Sequence, residues 1–158
     1  MRVVVATDGS KQSLYAAQSL KAFADPNKIK EVIVVAVISP LAAVPFDNEL
    51  TERPPTSGDD LGGISFWDEA EGATSAIMAE FSGWGPEVSR RLRSGSPASE
   101  IVKLAEEEQA DLIVVASGAK GLTPTILLGS TAQRVQHSAP CPVLVARAAP
   151  HHKSGRMS

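Results

Sequence analysis

Continuous apolar runs that end in polar turns are the clearest pattern along the chain. The runs are Val3–Thr7, Val32–Ile38 and Leu112–Ala116. Apolar runs of about four to eight residues without polar alternation are typical of strands that a parallel sheet buries on both faces. The pattern therefore predicts three buried strands.

Helical periodicity occupies the segments between these runs. Apolar positions recur every three or four residues, which predicts amphipathic helices that pack one face against a sheet. We expect Glu106–Glu108 to be the solvated end of the third helix. The predicted helices are Ser13–Ala24, Ile64–Phe81, a helix that starts at Ser96–Pro97, and Ser130–His137. Their apolar stripes are Leu14, Ala17, Leu20 and Ala24 with Phe23 at the edge; Trp67, Ala70, Thr74, Ile77 and Phe81; and Ile101, Leu104 and Ala105.

Two weaker strands complete the pattern. Val88–Leu92 is interleaved with arginines, which predicts an edge strand where charge is tolerated. Val143–Val145 follows the last helix as a final strand. Strands that alternate with helices predict a parallel sheet with helices on both faces, joined by right-handed crossovers. The fold class is therefore α/β, a single-domain open parallel sheet.

Four residues mark the carboxyl ends of three predicted strands. Asp8, Ile38, Ser117 and Gly118 all come at or just after a predicted strand end. In open sheets of this class, ligands bind beyond the carboxyl ends of the strands, where the strand order reverses. We therefore expect these residues to share one edge of the sheet.

Composition narrows the functional classes. The 158 residues carry a formal charge of −3, which argues against non-specific binding to nucleic acid. A single cysteine, Cys141, excludes an intrachain disulfide and a Cys/His zinc cluster. The first apolar run is too short for a signal-peptide core or a membrane span. We expect a cytoplasmic protein that contacts neither nucleic acid nor membrane.

Two segments differ from the predicted domain, which we place at residues 1–147. Residues 40–63 are rich in proline, glycine and acidic side chains, and they predict an acidic surface loop. A lid over a site or a partner contact is the functional alternative. Residues 148–158 predict a disordered tail.

The glycines after the third buried strand predict an anion site. Gly118 and Gly121 permit a sharp turn and a close approach of an anion to main-chain N–H groups. Gly129 then precedes Ser130–Thr131 at a helix start, where free N–H groups and the helix dipole favour phosphate. Lys120 could add positive charge. The spacing matches neither a Walker A loop nor a dinucleotide fingerprint.

Four stretches carry a family resemblance over residues 1–147. They are VVVATDGS, VIVVAVI, ADLIVVASGAKG and LLGSTAQRVQHSAPCPVLVAR. Together they resemble the universal stress protein family. The resemblance implies a five-stranded parallel sheet of the adenine nucleotide alpha hydrolase-like kind, usually dimeric. It also implies a regulatory protein of the stress response that binds ATP, ADP or AMP, either alone or together with Mg²⁺.

The resemblance also implies roles for individual residues. Asp8 would contact the ribose or a metal ion. Ser117 and Lys120 are expected at the same site from their positions after the strand and between the glycines, and not from the resemblance. Between Gly121 and Gly129 this chain has seven residues where the family pattern has nine, which bears on whether a triphosphate fits. The implied adenine pocket is Ala6, Thr7 and Val37, and the implied ribose and phosphate contacts are Gly118, Gly121, Gly129, Ser130 and Thr131.

The sequence does not favour an enzyme. No catalytic residue is predicted, because the glycine segments contain no histidine and Cys141 lies between two prolines as an inert, buried thiol. Any ATPase activity is expected to be weak.

The last strand, Val143–Arg147, predicts a homodimer through an open sheet edge, and an edge covered by the tail is the alternative. A module of the same fold that binds an unknown regulatory protein, without nucleotide, is the other functional hypothesis.

Overall fold

The computed structural model describes residues 1–38, 62–117 and 130–147, and within residues 62–66 it describes the backbone alone. This part of the chain contains five strands and four α-helices, with a short 3₁₀ turn at Pro26–Lys28. The strands are β1 (Arg2–Ala6), β2 (Glu31–Ile38), β3 (Glu87–Ser94), β4 (Leu112–Ala116) and β5 (Val143–Ala146). The helices are α1 (Lys11–Phe23), α2 (Gly62–Phe81), α3 (Pro97–Glu107) and α4 (Ser130–Ser138).

The strands form one parallel sheet in the order β3-β2-β1-β4-β5. This confirms the predicted five-stranded α/β fold. The chain moves outward from β1 through β2 to β3, and then crosses back to the other side of β1 to form β4 and β5. The direction of winding therefore reverses between β1 and β4.

This reversal decides which face each helix covers. Right-handed crossovers place helices on opposite faces when the chain winds in opposite directions. Accordingly, α1 and α2 pack together on one face of the sheet, and α3 and α4 pack together on the other.

The three apolar runs form the centre of the core, as predicted. Val3, Val4 and Val5 are fully buried, and successive residues contribute to the two faces in turn. The stripe of α2 is buried from Ala70 onward, but Trp67 is 43% exposed, which differs from the prediction. Trp67 lies in the second turn of α2, whereas the buried residues of the stripe lie in its later turns.

The edge strand β3 was predicted correctly, but its charges are paired. Arg91 Nη2 lies 3.2 Å from Glu108 Oε2, and Arg93 Nη1 lies 3.0 Å from Glu107 Oε1. The end of α3 is therefore bonded to β3 instead of being merely solvated. These cations also offset the unfavourable position of acidic side chains at a helix C-terminus. Further pairs join Arg93 to Glu100 and Arg90 to Glu71.

The two segments predicted to differ from the domain are described only in part. Helix α2 begins at Gly62, so the last two residues of the predicted loop 40–63 are helical. The rest of that loop and the tail 148–158 lie outside the described residues. Among the described residues, no helix is long and apolar enough to cross a membrane.

Candidate functional site

The carboxyl ends of β1, β2 and β4 meet at one edge of the sheet, as the sequence predicted. The parallel ladders run one residue beyond β1 and β4 there. Thr7 N donates to Val35 O at 2.9 Å, and Ser117 N donates to Ala146 O at 2.8 Å. Asp8 follows Thr7 and is exposed, while Ser117 is half-buried. This edge, next to the reversal between β1 and β4, is where folds of this class bind ligands.

Two apolar side chains lie on the α3/α4 side of this edge. Ala6 ends β1 and Val37 lies near the end of β2, and both are half-buried against the cluster that contains Ile33 and Val35. They keep some exposed apolar surface, which suits contact with a flat apolar group.

Thr7 points to the opposite face, toward α1. Its Oγ1 accepts a hydrogen bond from Gly9 N at 3.1 Å and lies 2.8 Å from Ser13 Oγ. Ser13 Oγ in turn donates to Ser10 O at 2.7 Å. Thr7 and Ser13 are 6% and 2% exposed. The three residues predicted for the adenine pocket are therefore divided between the two faces, and the Thr7 hydroxyl is occupied by α1.

The turn between β1 and α1 presents Asp8. Its Oδ1 accepts from Ser10 N at 3.0 Å, which orients the carboxylate, and Gly9 continues with φ +83°, a value suited to glycine. Ser10 caps α1, since its Oγ accepts from Ser13 N at 3.2 Å. The positive end of the α1 dipole therefore adjoins an exposed carboxylate, a stabilising arrangement.

The second helix start at this edge belongs to α4. Because α4 connects the carboxyl end of β4 to the amino end of β5, its first residues lie at the same edge as Asp8. Ser130 is exposed and Thr131 is half-buried, and Ala132 and Val135 fix the helix on the sheet. The predicted site residues Gly118, Lys120, Gly121 and Gly129 lie outside the described residues.

A cysteine and a histidine lie at the opposite edge. Cys141 precedes β5, and His137 is in the last turn of α4. Burial raises the pKa of the half-buried Cys141 thiol, and the negative charge of Asp111 raises that pKa further. The thiol is therefore protonated at neutral pH and unreactive. Within residues 1–38, 62–117 and 130–147, no three His, Cys, Asp or Glu residues form a group that could hold a metal ion.

Ser13 was not singled out from the sequence. Its polar side chain stands on the buried face of α1, between apolar positions, and that mismatch was the available signal.

Comparison with known proteins assigns the chain to a family. The model of the universal stress protein family matches residues 1–147. A protein of Methanocaldococcus jannaschii, universal stress protein MJ0531, is 32% identical over 147 residues, which cover 92% of this chain and 81% of that protein.

Solved structures agree with that assignment. Hypothetical protein MJ0577, from the same organism, has a TM-score of 0.73 at 29% identity, covering 95% of this chain and 97% of that one. A universal stress protein crystallised in complex with cAMP has a TM-score of 0.61 at 25% identity, covering 92% and 96% of the two chains. Fold, family match and sequence identity coincide over the same residues, and the chain belongs to the universal stress protein family.

Proposed function

We propose that this protein binds an adenine nucleotide at the carboxyl edge of its sheet and acts as a regulatory protein of the cytoplasmic stress response. The observation that carries the proposal is the meeting of three features at that edge. Asp8 is exposed there, α4 begins there at Ser130, and the half-buried Ala6 and Val37 adjoin them.

Each feature suits one part of a nucleotide. The apolar surface of Ala6 and Val37 suits the face of an adenine ring. The carboxylate of Asp8 suits a ribose hydroxyl or a Mg²⁺ ion. The free N–H groups at the start of α4, together with Gly118, Gly121 and Gly129, suit phosphate oxygens.

A relative supports the adenine part of the proposal. The universal stress protein solved in complex with cAMP has this fold and is 25% identical over nearly the whole chain. Because cAMP contains adenine, ribose and one phosphate, it requires the three kinds of contact proposed above. Whether the ligand here is ATP, ADP or AMP depends on the seven-residue bridge between Gly121 and Gly129.

We also propose a homodimer through β5. This strand is the outer strand beyond β4, and Val143, Leu144 and Val145 are only half-buried. Ile113 N donates to Pro142 O and Ser117 N donates to Ala146 O, so the even-numbered residues face β4. In a parallel ladder, the N–H and C=O groups of Val143 and Val145 then point to the open edge. A second copy could pair with them.

Titration calorimetry with ATP, ADP, AMP and cAMP, each with Mg²⁺, tests the proposal. We expect saturable binding of at least one of them, and weaker binding by Gly129→Val, which places a branched side chain at the start of α4. Absence of heat for all four at millimolar concentration contradicts the proposal. Phosphate release above the rate of a Gly118→Val control would show, in addition, a slow hydrolase.

A second candidate, an interaction module without nucleotide, is favoured by the shortened bridge. It predicts that Gly129→Val leaves the binding of a protein partner unchanged.

A further inference from the structure

Two buried hydroxyls join the end of β1 to the first turn of α1. Thr7 is the first residue after β1, and Ser13 lies in the first turn of α1. Their oxygens are 2.8 Å apart. Both residues are more than nine-tenths buried, and both hydroxyls are hydrogen-bonded within the protein.

The direction of the hydrogen bonds follows from the number of protons. Ser13 has one hydroxyl proton and donates it to Ser10 O at 2.7 Å, because a carbonyl can only accept. Thr7 must therefore donate to Ser13 Oγ. Thr7 Oγ1 is then free to accept from Gly9 N at 3.1 Å. The result is a directed relay from Gly9 N–H through Thr7 and Ser13 to Ser10 C=O.

This relay fixes both residues that follow Asp8. Gly9 is held through its N–H, and Ser10 is held through its C=O, while Ser10 N holds Asp8 Oδ1 at 3.0 Å. The backbone immediately before Asp8 is held by the hydrogen bond that Thr7 N donates to Val35 O. Asp8 is thus an exposed side chain on a turn whose polar groups are bonded beneath it.

We propose that Thr7 and Ser13 are positioning residues for nucleotide binding: they touch no ligand, and they hold the turn that aims Asp8. The inference rests on the proposed function, because the aim of Asp8 matters only if a nucleotide binds there. It assigns Thr7 a role beneath the pocket instead of in its wall.

The size of the effect follows from pre-organisation. A typical buried hydrogen bond contributes about 1 kcal/mol net, which corresponds to a factor of about five in an equilibrium constant. If loss of the relay reduces the fraction of molecules with the competent turn by that factor, the apparent Kd rises by the same factor.

Three variants test the relay by titration calorimetry with the tightest of the four nucleotides. Thr7→Val keeps the shape of the side chain and removes the hydroxyl, and Ser13→Ala removes the second hydroxyl but leaves the Ser13 N–H that the cap uses. Each is expected to raise Kd about fivefold. Thr7→Ser retains a hydroxyl and should restore a Kd near that of the wild type. The double variant Thr7→Val/Ser13→Ala should be no worse than either single variant, because both break one relay.

Thr74→Val is the matched control for loss of a buried hydroxyl. Thr74 is fully buried on α2, and its Oγ1 donates to Ala70 O and Glu71 O at 3.0 Å. This variant should lose stability without a change in Kd. An equal loss of affinity in Thr74→Val would show that the relay variants weaken binding only through lost stability, which overturns the inference. A loss in Thr7→Val without a loss in Ser13→Ala would show that Thr7 contacts the ligand directly, which overturns the inference.

A ligand-free measurement separates this inference from the proposed function. Failure of the wild type to bind any nucleotide contradicts the proposed function. The relay is then decided by amide hydrogen exchange, which Thr7→Val should accelerate at Gly9 by removing its acceptor. Unchanged exchange at Gly9 overturns the relay, whatever the wild type binds.

Discussion

Replacement of Gly95 by alanine should damage the junction between β3 and α3 more than its backbone angle alone explains. Gly95 has φ +142°, and its N donates to Ile38 O at 2.9 Å. A Cβ there would lie 2.9 Å from Glu100 Oε2 and 3.1 Å from Glu100 Cγ. Glu100 cannot swing away freely, because Arg93 and Lys103 each hold its carboxylate at 3.3 Å.

The expected loss of unfolding free energy has two parts. A non-glycine residue at this φ costs about 1–3 kcal/mol. Displacement of Glu100 disturbs its two partly exposed ion pairs with Arg93 and Lys103, and exposed pairs are each worth about 0.2–1 kcal/mol. We therefore expect Gly95→Ala to lose about 2–4 kcal/mol, of which about 1 kcal/mol comes from the displaced carboxylate.

Urea denaturation measures this loss, and two variants separate its parts. Gly85 has a similar φ of +135°, but a Cβ there meets only Pro26 Cβ at an ordinary 3.4 Å. Gly85→Ala should therefore show the backbone cost alone. Gly95→Ala/Glu100→Ala should be more stable than the sum of its single variants by about 1 kcal/mol. Equal losses of unfolding free energy in Gly95→Ala and Gly85→Ala, together with strict additivity in the double variant, would show that the contact with Glu100 costs nothing.

Three further perturbations test other parts of the structure. The hydrogen bond from Arg93 lowers the pKa of Glu107, so this pair stabilises the fold above the pKa of an unpaired glutamate and ceases to do so as pH falls through the lowered pKa. Glu107→Gln should therefore unfold more easily than wild type at pH 7 and equally at pH 2 in denaturant titrations, and a gap that persists in acid would contradict the pairing. Asp8→Asn keeps an oxygen that can accept from Ser10 N but removes the charge, so calorimetry should show binding of the Mg²⁺ nucleotide weakened about tenfold or more, while the unfolding free energy falls by no more than about 1 kcal/mol from the lost interaction with the α1 dipole; wild-type affinity would exclude Asp8 from the site. Val145→Pro removes an outward N–H of β5, and light scattering should show a monomer, whereas Val145→Ala should remain dimeric; a dimeric proline variant would exclude pairing through β5.

The strands that the sheet buries on both faces were predictable from sequence. A run such as Val32–Ile38 has to be apolar throughout when helices cover both faces, so periodicity alone identifies it. The edge strand β3 was predictable for the opposite reason, since arginines in a strand are tolerated where water reaches them.

Contacts between distant residues were not predictable in the same way. Arg91 and Glu108 are seventeen positions apart in the sequence. Their pairing depends on how α3 lies across β3, and hydrophobic periodicity contains no information on that packing. The exposure of Trp67 depends on which part of α2 the rest of the protein covers, whereas the apolar stripe looks the same along the whole helix.

The candidate site shows both situations. The alternation of strands and helices in the sequence is enough to place Asp8 and Ser117 at one edge, because parallel strands end together. The same reasoning did not reveal that Thr7 faces α1, since its hydroxyl partner Ser13 is defined by the packing of that helix. The phosphate part of the site, from Gly118 to Gly129, remains a prediction from spacing and from family resemblance.

Amide chemical-shift mapping of the full chain with a saturating adenine nucleotide and Mg²⁺ shows directly whether the nucleotide binds at the carboxyl edge of the sheet. We expect the largest shifts at the carboxyl ends of β1 and β4 and at the start of α4, reported by Asp8, Ser117 and Ser130, with small shifts at β3. No shifts at millimolar nucleotide, or shifts confined to residues away from that edge, would contradict it.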